Sequence, residues 1–363
     1  MTLLGEHETR DKLARMRVWL HRHDAGALRL RGVDWFAWAT AGGSNAVLLA
    51  AEGGVAEVLV TPDAAYLLTD RIEAARLRRE EVAGPWTWQV VPWTQHELRE
   101  HFVLNAAAGA PVLSDRPALH EHALPPDARD ERLVLLAPER ERYRRLGRLA
   151  AAAAGEALRA ARPDWTEYEL AGAAAHALWA RGLQPALLLA AGEERLARYR
   201  HPLPSARPLG ARAMLVLCAR RHGLYANLTR FVRFGAGADP REAEMMALEA
   251  VALDACEAGQ PLSTVYHALD GAYAYAGQPD AIAAHHQGGI TGYQAREVLA
   301  SPHSEIMLRP GMALAFNPSL DGIKIEDTFL LGEDGLENLS FDPLWPCSEV
   351  RGRRRPLWLE LPC

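Results

Sequence analysis

Apolar positions recur along this chain with two different textures. From Thr2 to about Leu135, short apolar runs alternate with polar, turn-prone stretches; Ala46 to Ala50 and Val55 to Val60 read as strands, the second closed by Thr61-Pro62-Asp63. This pattern predicts a small α/β domain over residues 1–135. After Pro138 the period changes. Glu139 to Arg159 carries apolar residues at helical spacing, and Thr166 with Glu169 forms a capping box just before the apolar-periodic stretch Leu170 to Leu178. Strands are expected at Ala213 to Cys218 and Leu224 to Phe234, a helix over about Pro240 to Ala258, and strands again at Met312 to Phe316 and Gly322 to Leu331. The chain should then turn at Glu333-Asp334-Gly335. Residues 136–363 therefore read as a second, larger α/β domain.

Composition narrows the function classes. With 363 residues, 49% apolar and 24% charged, the chain has the make-up of an ordinary globular protein of two domains. A net charge of −6 argues against nucleic-acid and anionic-membrane partners, and the run Arg351, Arg353, Arg354, Arg355 reads as a solvated tail. Apolar stretches are Ala-rich and interrupted by Arg and Glu, and Met1 to Arg10 is polar rather than signal-like, so a cytoplasmic address without a membrane span is expected. Cys218, Cys256, Cys347 and Cys363 lack paired metal-ligand spacing and are expected to be reduced.

Six motifs in the second half carry a family resemblance. Pro163-Asp164-Trp165-Thr166-Glu167 resembles "PGxTE", and Arg200-His201-Pro202-Leu203-Pro204 resembles a stretch bearing a proton-handling histidine. Residues Gly223 to Arg230 resemble "GYxSDxTR", and His285 to Gly292 resemble "HxxGHGxG". Arg309 to Pro318 resemble "xPGMxxxxEP", and Gly322 to Thr328 resemble "GxRxEDT". Their order and spacing are similar to those of the creatinase, prolidase and methionine aminopeptidase superfamily. That resemblance implies an α/β architecture with a C-terminal pita-bread fold, a smaller N-terminal α/β creatinase-like domain, and a homodimer; Leu68 to Leu77 resembles a stretch of the prolidase N-terminal domain, which implies a strand running into a helix.

The superfamily's five metal ligands fall on Val216, Asn227, Gly289, Asn317 and Glu326. Only Glu326 keeps a ligating carboxylate. One carboxylate with two amides binds divalent ions poorly, so no metal and no other cofactor is expected. Three carboxylates and an imidazole are gone as a set, and keeping them without metal would have buried mutually repelling anions. The pattern reads as a settled metal-free pocket.

What remains is His201, His285 and Glu326 as candidate catalytic groups, with Asn227, His286, Arg296, Glu297 and Asn317 as candidate substrate-binding groups. A neutral histidine is the side chain suited to move protons near pH 7 without metal-bound water, and His201 or His285 is the base. Strand alternation puts Lys324 on the face of Glu326, where it would neutralise it. Arg296 with Glu297 reads equally as a structural ion pair, and Cys218 as a core residue rather than a nucleophile. Creatinase, in the same superfamily, breaks a C–N bond without metal through a histidine base. The resemblance thus implies a metal-independent hydrolase of a small amide, amidine or ureido compound. The alternatives are a catalytically inactive peptidase-like protein that binds a peptide or protein partner and, ranked last, a metal-dependent Xaa-Pro peptidase.

Overall fold

The structure, a computed structural model, describes residues 3–118, 120–237 and 239–362. Cys363 lies outside the described residues. The chain divides into two compact units, Met1–Arg132 and Leu133–Cys363.

The first unit is built on six strands: β1 (Ala27–Gly32), β2 (Gly53–Val60), β3 (Ala65–Asp70), β4 (Thr87–Val91), β5 (Val112–Ser114) and β6 (Glu121–Ala123). Their order is β4-β3-β2-β1-β5-β6, with β1 antiparallel to β2 and parallel to β5. Helices Leu3–Arg22, Val33–Ala39 and Glu97–Ala107 accompany the sheet, and Trp19, Trp35 and Trp38 pack together. The strand-to-helix reading of Leu68 to Leu77 holds locally. Asp70 ends β3 by accepting hydrogen bonds from the backbone amides of Ile72 (2.9 Å) and Glu73 (3.2 Å), which turns the chain into a helical segment. The run Ala46 to Ala50 is a correction. It is irregular, with Val47, Leu48 and Leu49 exposed, and β2, the strand that follows it in sequence, already pairs with β1 and β3 on its two sides.

The second unit carries strands β7 (Gln184–Gly192), β8 (Arg212–Arg221), β9 (Leu224–Phe234), β10 (Gly288–Thr291), β11 (Val298–Leu299), β12 (Ala313–Phe316), β13 (Ser319–Leu320), β14 (Ile323–Lys324), β15 (Asp327–Leu331), β16 (Leu336–Asn338), β17 (Cys347–Val350), β18 (Arg353–Pro356) and β19 (Leu359–Leu361). One sheet runs β19-β9-β8-β7 and another β11-β10-β12-β15-β16. A backbone bridge between Thr229 of β9 and Glu326 links them (3.1 Å). The expected single strand Gly322 to Leu331 is split at Ile325 and Glu326, where that bridge takes the backbone pairing, and this break turns Glu326 toward β9.

The Ala-rich helix Ala137–Arg159 lies close to β8 and β9 because its buried face is Tyr143, Leu146, Gly147 and a row of alanines. At Gly147 a Cβ would stand 2.2 Å from the Leu339 carbonyl oxygen, so only glycine permits that approach. The following helix, Glu167–Ala180, starts as its sequence requires: Thr166 Oγ1 accepts from the Glu169 amide (3.2 Å), and Glu169 Oε2 accepts from the Thr166 amide (2.6 Å). The core joins Val216, Phe231, Met245, Leu269, Phe316 and Ile325, with Phe231 stacked on Trp358 at 4.6 Å. No helix among the described residues is long and apolar enough to cross a membrane.

Arg355 overturns the reading of the C-terminal basic run. It is 1% exposed in β18, where its Nε donates to Glu249 Oε2 (2.6 Å) and its guanidinium pairs with Asp327 (2.8 Å). Arg351 and Arg353 both pair with Asp254.

Candidate functional site

Each candidate side chain is held by a traceable local cause. Glu167, fully buried at the start of its helix, accepts hydrogen bonds from the amides of Gly192 (2.9 Å) and Ser205 (2.9 Å) and from Ser205 Oγ (2.6 Å), and pairs with Arg195. Arg195 in turn donates to the Leu203 carbonyl (2.9 Å), and Arg200 pairs with Asp321 (2.8 Å). These contacts fix the loop that presents His201. On the other side, the short helix Ala281–Ala284 ends at extended His285. The next residue but one, Gln287, is buried and accepts from Tyr273 Oη (3.1 Å), which anchors the His285-His286 pair.

These segments border a cleft of about 450 Å³ lined by His201, His286, Asn317, Arg296, Lys324 and Glu326 on its polar side, and by Leu187, Leu189, Leu203 and Val216 on its apolar side. Glu326 is the centre of its charge. Its Oε1 accepts from Arg296 Nη2 (2.7 Å), its Oε2 accepts from Thr229 Oγ1 (2.9 Å), and Lys324 Nζ lies 3.3 Å from Oε2. Burial alone would raise this carboxyl's pKa; Lys324 and Arg296, with the donated hydrogen bonds, outweigh it and hold the group at about 2. Lys324 thus faces Glu326, as alternation along the sequence predicts.

Above this ion cluster sit three imidazoles. His201 Nε2 and His285 Nε2 are 2.9 Å apart, the rings of His285 and His286 stack at 4.4 Å, and one ligating atom from each of the three lies within 4.8 Å of the others. Burial, then the nearby Lys324, pushes His285 down to about 3; burial, then Arg296, pushes His286 down to about 4. His201 is lowered by the same causes, burial first. All three are therefore neutral at pH 7.

Two of the expected binding residues stand apart from the cleft lining. Glu297 turns its Oε1 to the backbone amides of Tyr293 (2.9 Å) and Gln294 (3.2 Å), organising the loop that carries Arg296. Asn227 is fully buried, its Nδ2 donating to Thr291 Oγ1 (3.1 Å). Burial pushes the Cys218 thiol up to about 12, which leaves it an unreactive core residue beside the cleft. The apolar wall of β7 and the meeting of three histidines were not foreseen in the sequence. Alternation at Leu187 and Leu189 was a usable signal for the first; the second joins residues 84 positions apart and has none.

Compared with known proteins, the sequence matches metallopeptidase family M24 over residues 141–333, just over half of its 363 residues. The chain belongs to that family. Among solved structures, this M24 protein is similar to the prolidase from Pyrococcus horikoshii OT3, with a TM-score of 0.76 at 18% identity over 91% of this chain and 98% of that one. It is similar to dipeptidase PepE from Mycobacterium ulcerans (TM-score 0.76, 18% identity, 99% of both chains). It also resembles the N-terminal domain of FACT complex subunit SPT16 from Cicer arietinum (TM-score 0.69, 11% identity, 94% of this chain and 97% of that one). The pita-bread fold follows from the family and from these likenesses. No curated protein matches the chain.

A metallopeptidase fold implies metal, and the residues on which the motif resemblance puts its five ligands do not fit one. Glu326 already spends both oxygens on protein cations and Thr229. Val216 offers no donor. Gly289 has φ +151°, and a Cβ there would meet the Val298 carbonyl oxygen at 2.1 Å, so a histidine has no room.

The depressed Glu326 carboxyl makes a pH prediction. A carboxylate whose folded pKa lies below its unfolded value contributes stability above pH about 4.5, and loses it as pH falls toward 2. The unfolding free-energy difference between wild type and Glu326→Gln should shrink by about 3 kcal/mol between pH 5 and pH 2. A difference that stays flat across that window would remove the ion cluster from the account.

Proposed function

We propose that this M24 protein is a hydrolase of small amide, amidine or ureido compounds that works without the family's dinuclear metal centre. The observation that supports this most is the neutral imidazole cluster standing at a cleft whose floor holds one carboxylate and two cations. In the reading, His201 takes a proton from water as its oxygen adds to the carbonyl or amidine carbon. It then returns that proton to the departing nitrogen as the C–N bond breaks. His285, 2.9 Å away, orients His201 and settles its tautomer. Arg296 and Lys324 exceed the charge of Glu326 by one, which favours a substrate carrying an anionic group, and Asn317 offers an amide donor toward the developing oxyanion. Asn227 is left out of that role because its amide is already committed to Thr291. The homodimer and cytoplasmic setting expected from the sequence belong to this reading.

A second reading is a peptidase fold that binds a peptide without cleaving it. It is favoured by the apolar rim, where Leu187 is 39% and Leu203 67% exposed.

A thermal-shift panel of small acidic N-acyl, amidino and ureido compounds on EDTA-treated protein should find a binder, because ligands of the native state stabilise it whether or not they are turned over. That binder should be hydrolysed in EDTA, and His201→Ala should lower kcat by roughly 100-fold with thermal unfolding unchanged. If wild type turns over no binder, and His201→Ala binds as well as wild type, the second reading takes first place.

A further inference from the structure

We infer that His201, His285 and His286 form a mononuclear site for a borderline divalent transition ion of the Zn²⁺ or Co²⁺ type, at a place distinct from the family's five ligand positions. The three imidazoles come from two separately anchored segments, and each offers a nitrogen within 4.8 Å of the others. A four-coordinate ion with metal–nitrogen bonds of about 2.0–2.1 Å sets its ligand nitrogens roughly 3.3 Å apart. The His201–His285 pair, at 2.9 Å, needs to open by only a few tenths of an ångström. His286 must swing inward, and it is exposed enough to do so. Two Nε2 atoms facing each other at this distance have room for one proton between two lone pairs. An ion in its place satisfies both. His285 Nδ1 is buried without a hydrogen-bond partner, so no bond on that side resists turning the ring.

The chemistry of the donors selects the ion. Imidazole suits Zn²⁺, Co²⁺, Ni²⁺ and Cu²⁺, whereas Mg²⁺ and Ca²⁺ require oxygen ligands. The carboxylate that shares the cleft with them, Glu326, is engaged by Arg296 and Lys324, so the nitrogen lone pairs must carry the affinity. All three rings are neutral at pH 7, so an ion releases no proton to solvent; the one between the two Nε2 atoms moves to the Nδ1 of its own ring. The sequence alone led to a metal-free expectation because it weighed the five family positions, none of which contributes here. An ion held this way would also put positive charge on the His201 ring and turn it, which weakens it as the base that hydrolysis needs. The site shares imidazoles with the proposed function but does not rest on it, because ion binding is read without turnover.

The test titrates Co²⁺ into full-length, EDTA-stripped and dialysed protein and follows visible absorption, with Zn²⁺ competition by calorimetry. One equivalent should bind with the intense bands of four-coordinate cobalt, and Mg²⁺ should leave them unchanged. His286→Ala, at an exposed position, should unfold at the wild-type temperature in EDTA yet lose at least the roughly 10-fold in affinity that even an outer ligand partner is worth. His201→Ala and His285→Ala should do the same. Absence of saturable binding, or equal binding by His286→Ala and wild type, overturns the site. Wild type that binds one ion but hydrolyses nothing keeps the site and removes the proposed function. Hydrolysis in EDTA by a protein that binds no ion does the reverse. Where both hold, added Zn²⁺ should abolish hydrolysis.

Discussion

Arg355→Ala should destabilise the second unit by about 3–5 kcal/mol, a large part of the roughly 5–15 kcal/mol that holds a typical domain together. The reason is what the change leaves behind. Glu249 is fully buried and takes hydrogen bonds from Arg355 through both carboxylate oxygens, while Asp327 pairs with Arg355 through one oxygen and with Arg230 (2.7 Å) through the other. Without Arg355, Glu249 loses that cation in a place water does not reach, and Asp327 keeps only one of its two. Replacing both members of the Arg355–Glu249 pair by apolar residues of similar volume should recover much of the loss, because the cost lies in the orphaned charge. Urea unfolding of the single and double variants measures both, and a single-variant loss under 1 kcal/mol would show that the pair is solvated. Asp327 follows Glu326 directly, so the variant should also loosen the floor of the cleft.

Gly289→Ala should cost on the order of 3 kcal/mol or more. The added Cβ would stand 2.1 Å from the Val298 carbonyl oxygen and 2.8 Å from the Ala300 amide nitrogen; both are backbone atoms of the neighbouring strand segment and cannot swing aside. Its φ of +151° is also unfavourable to any residue with a side chain. Gly271→Ala is the control. That glycine lies in the helix Leu262–Tyr275 with nothing within 4 Å, and alanine there should add about 0.5–1 kcal/mol of stability. It follows that rebuilding the family ligand set with Val216→Asp, Asn227→Asp, Gly289→His and Asn317→Glu should yield a poorly folded chain rather than a dinuclear enzyme. A soluble, cooperatively folding fourfold variant that binds two Mn²⁺ would contradict this.

Local chemistry made much of this protein readable from its sequence. The Thr166–Glu169 box, the passage from strand to helix over Leu68 to Leu77 and the strands β8 and β9 are determined by neighbours a few residues away, and each is found where it was expected. The family motifs were legible because they combine backbone constraints with fixed spacing. Features that depend on distant partners were not. A run of arginines looks solvated until Glu249, 106 residues before Arg355, is brought beside it. Ala46 to Ala50 has the apolarity of a strand, but pairing depends on whether a sheet edge is open. Glu326 was expected within an unbroken strand, and its backbone bridge to Thr229 across 97 residues interrupts the ladder. The three histidines could be weighed only singly, because their value lies in mutual distance.

Arg296 and Lys324 give the cleft a positive field that is covalently part of the chain. In a dinuclear peptidase such a field must be acquired from dissolved ions, and it varies with their supply, with chelators and with the order of loading. Here the part carried by these two side chains is complete when the chain folds and identical in every copy, so the cleft's attraction for anions should survive metal starvation.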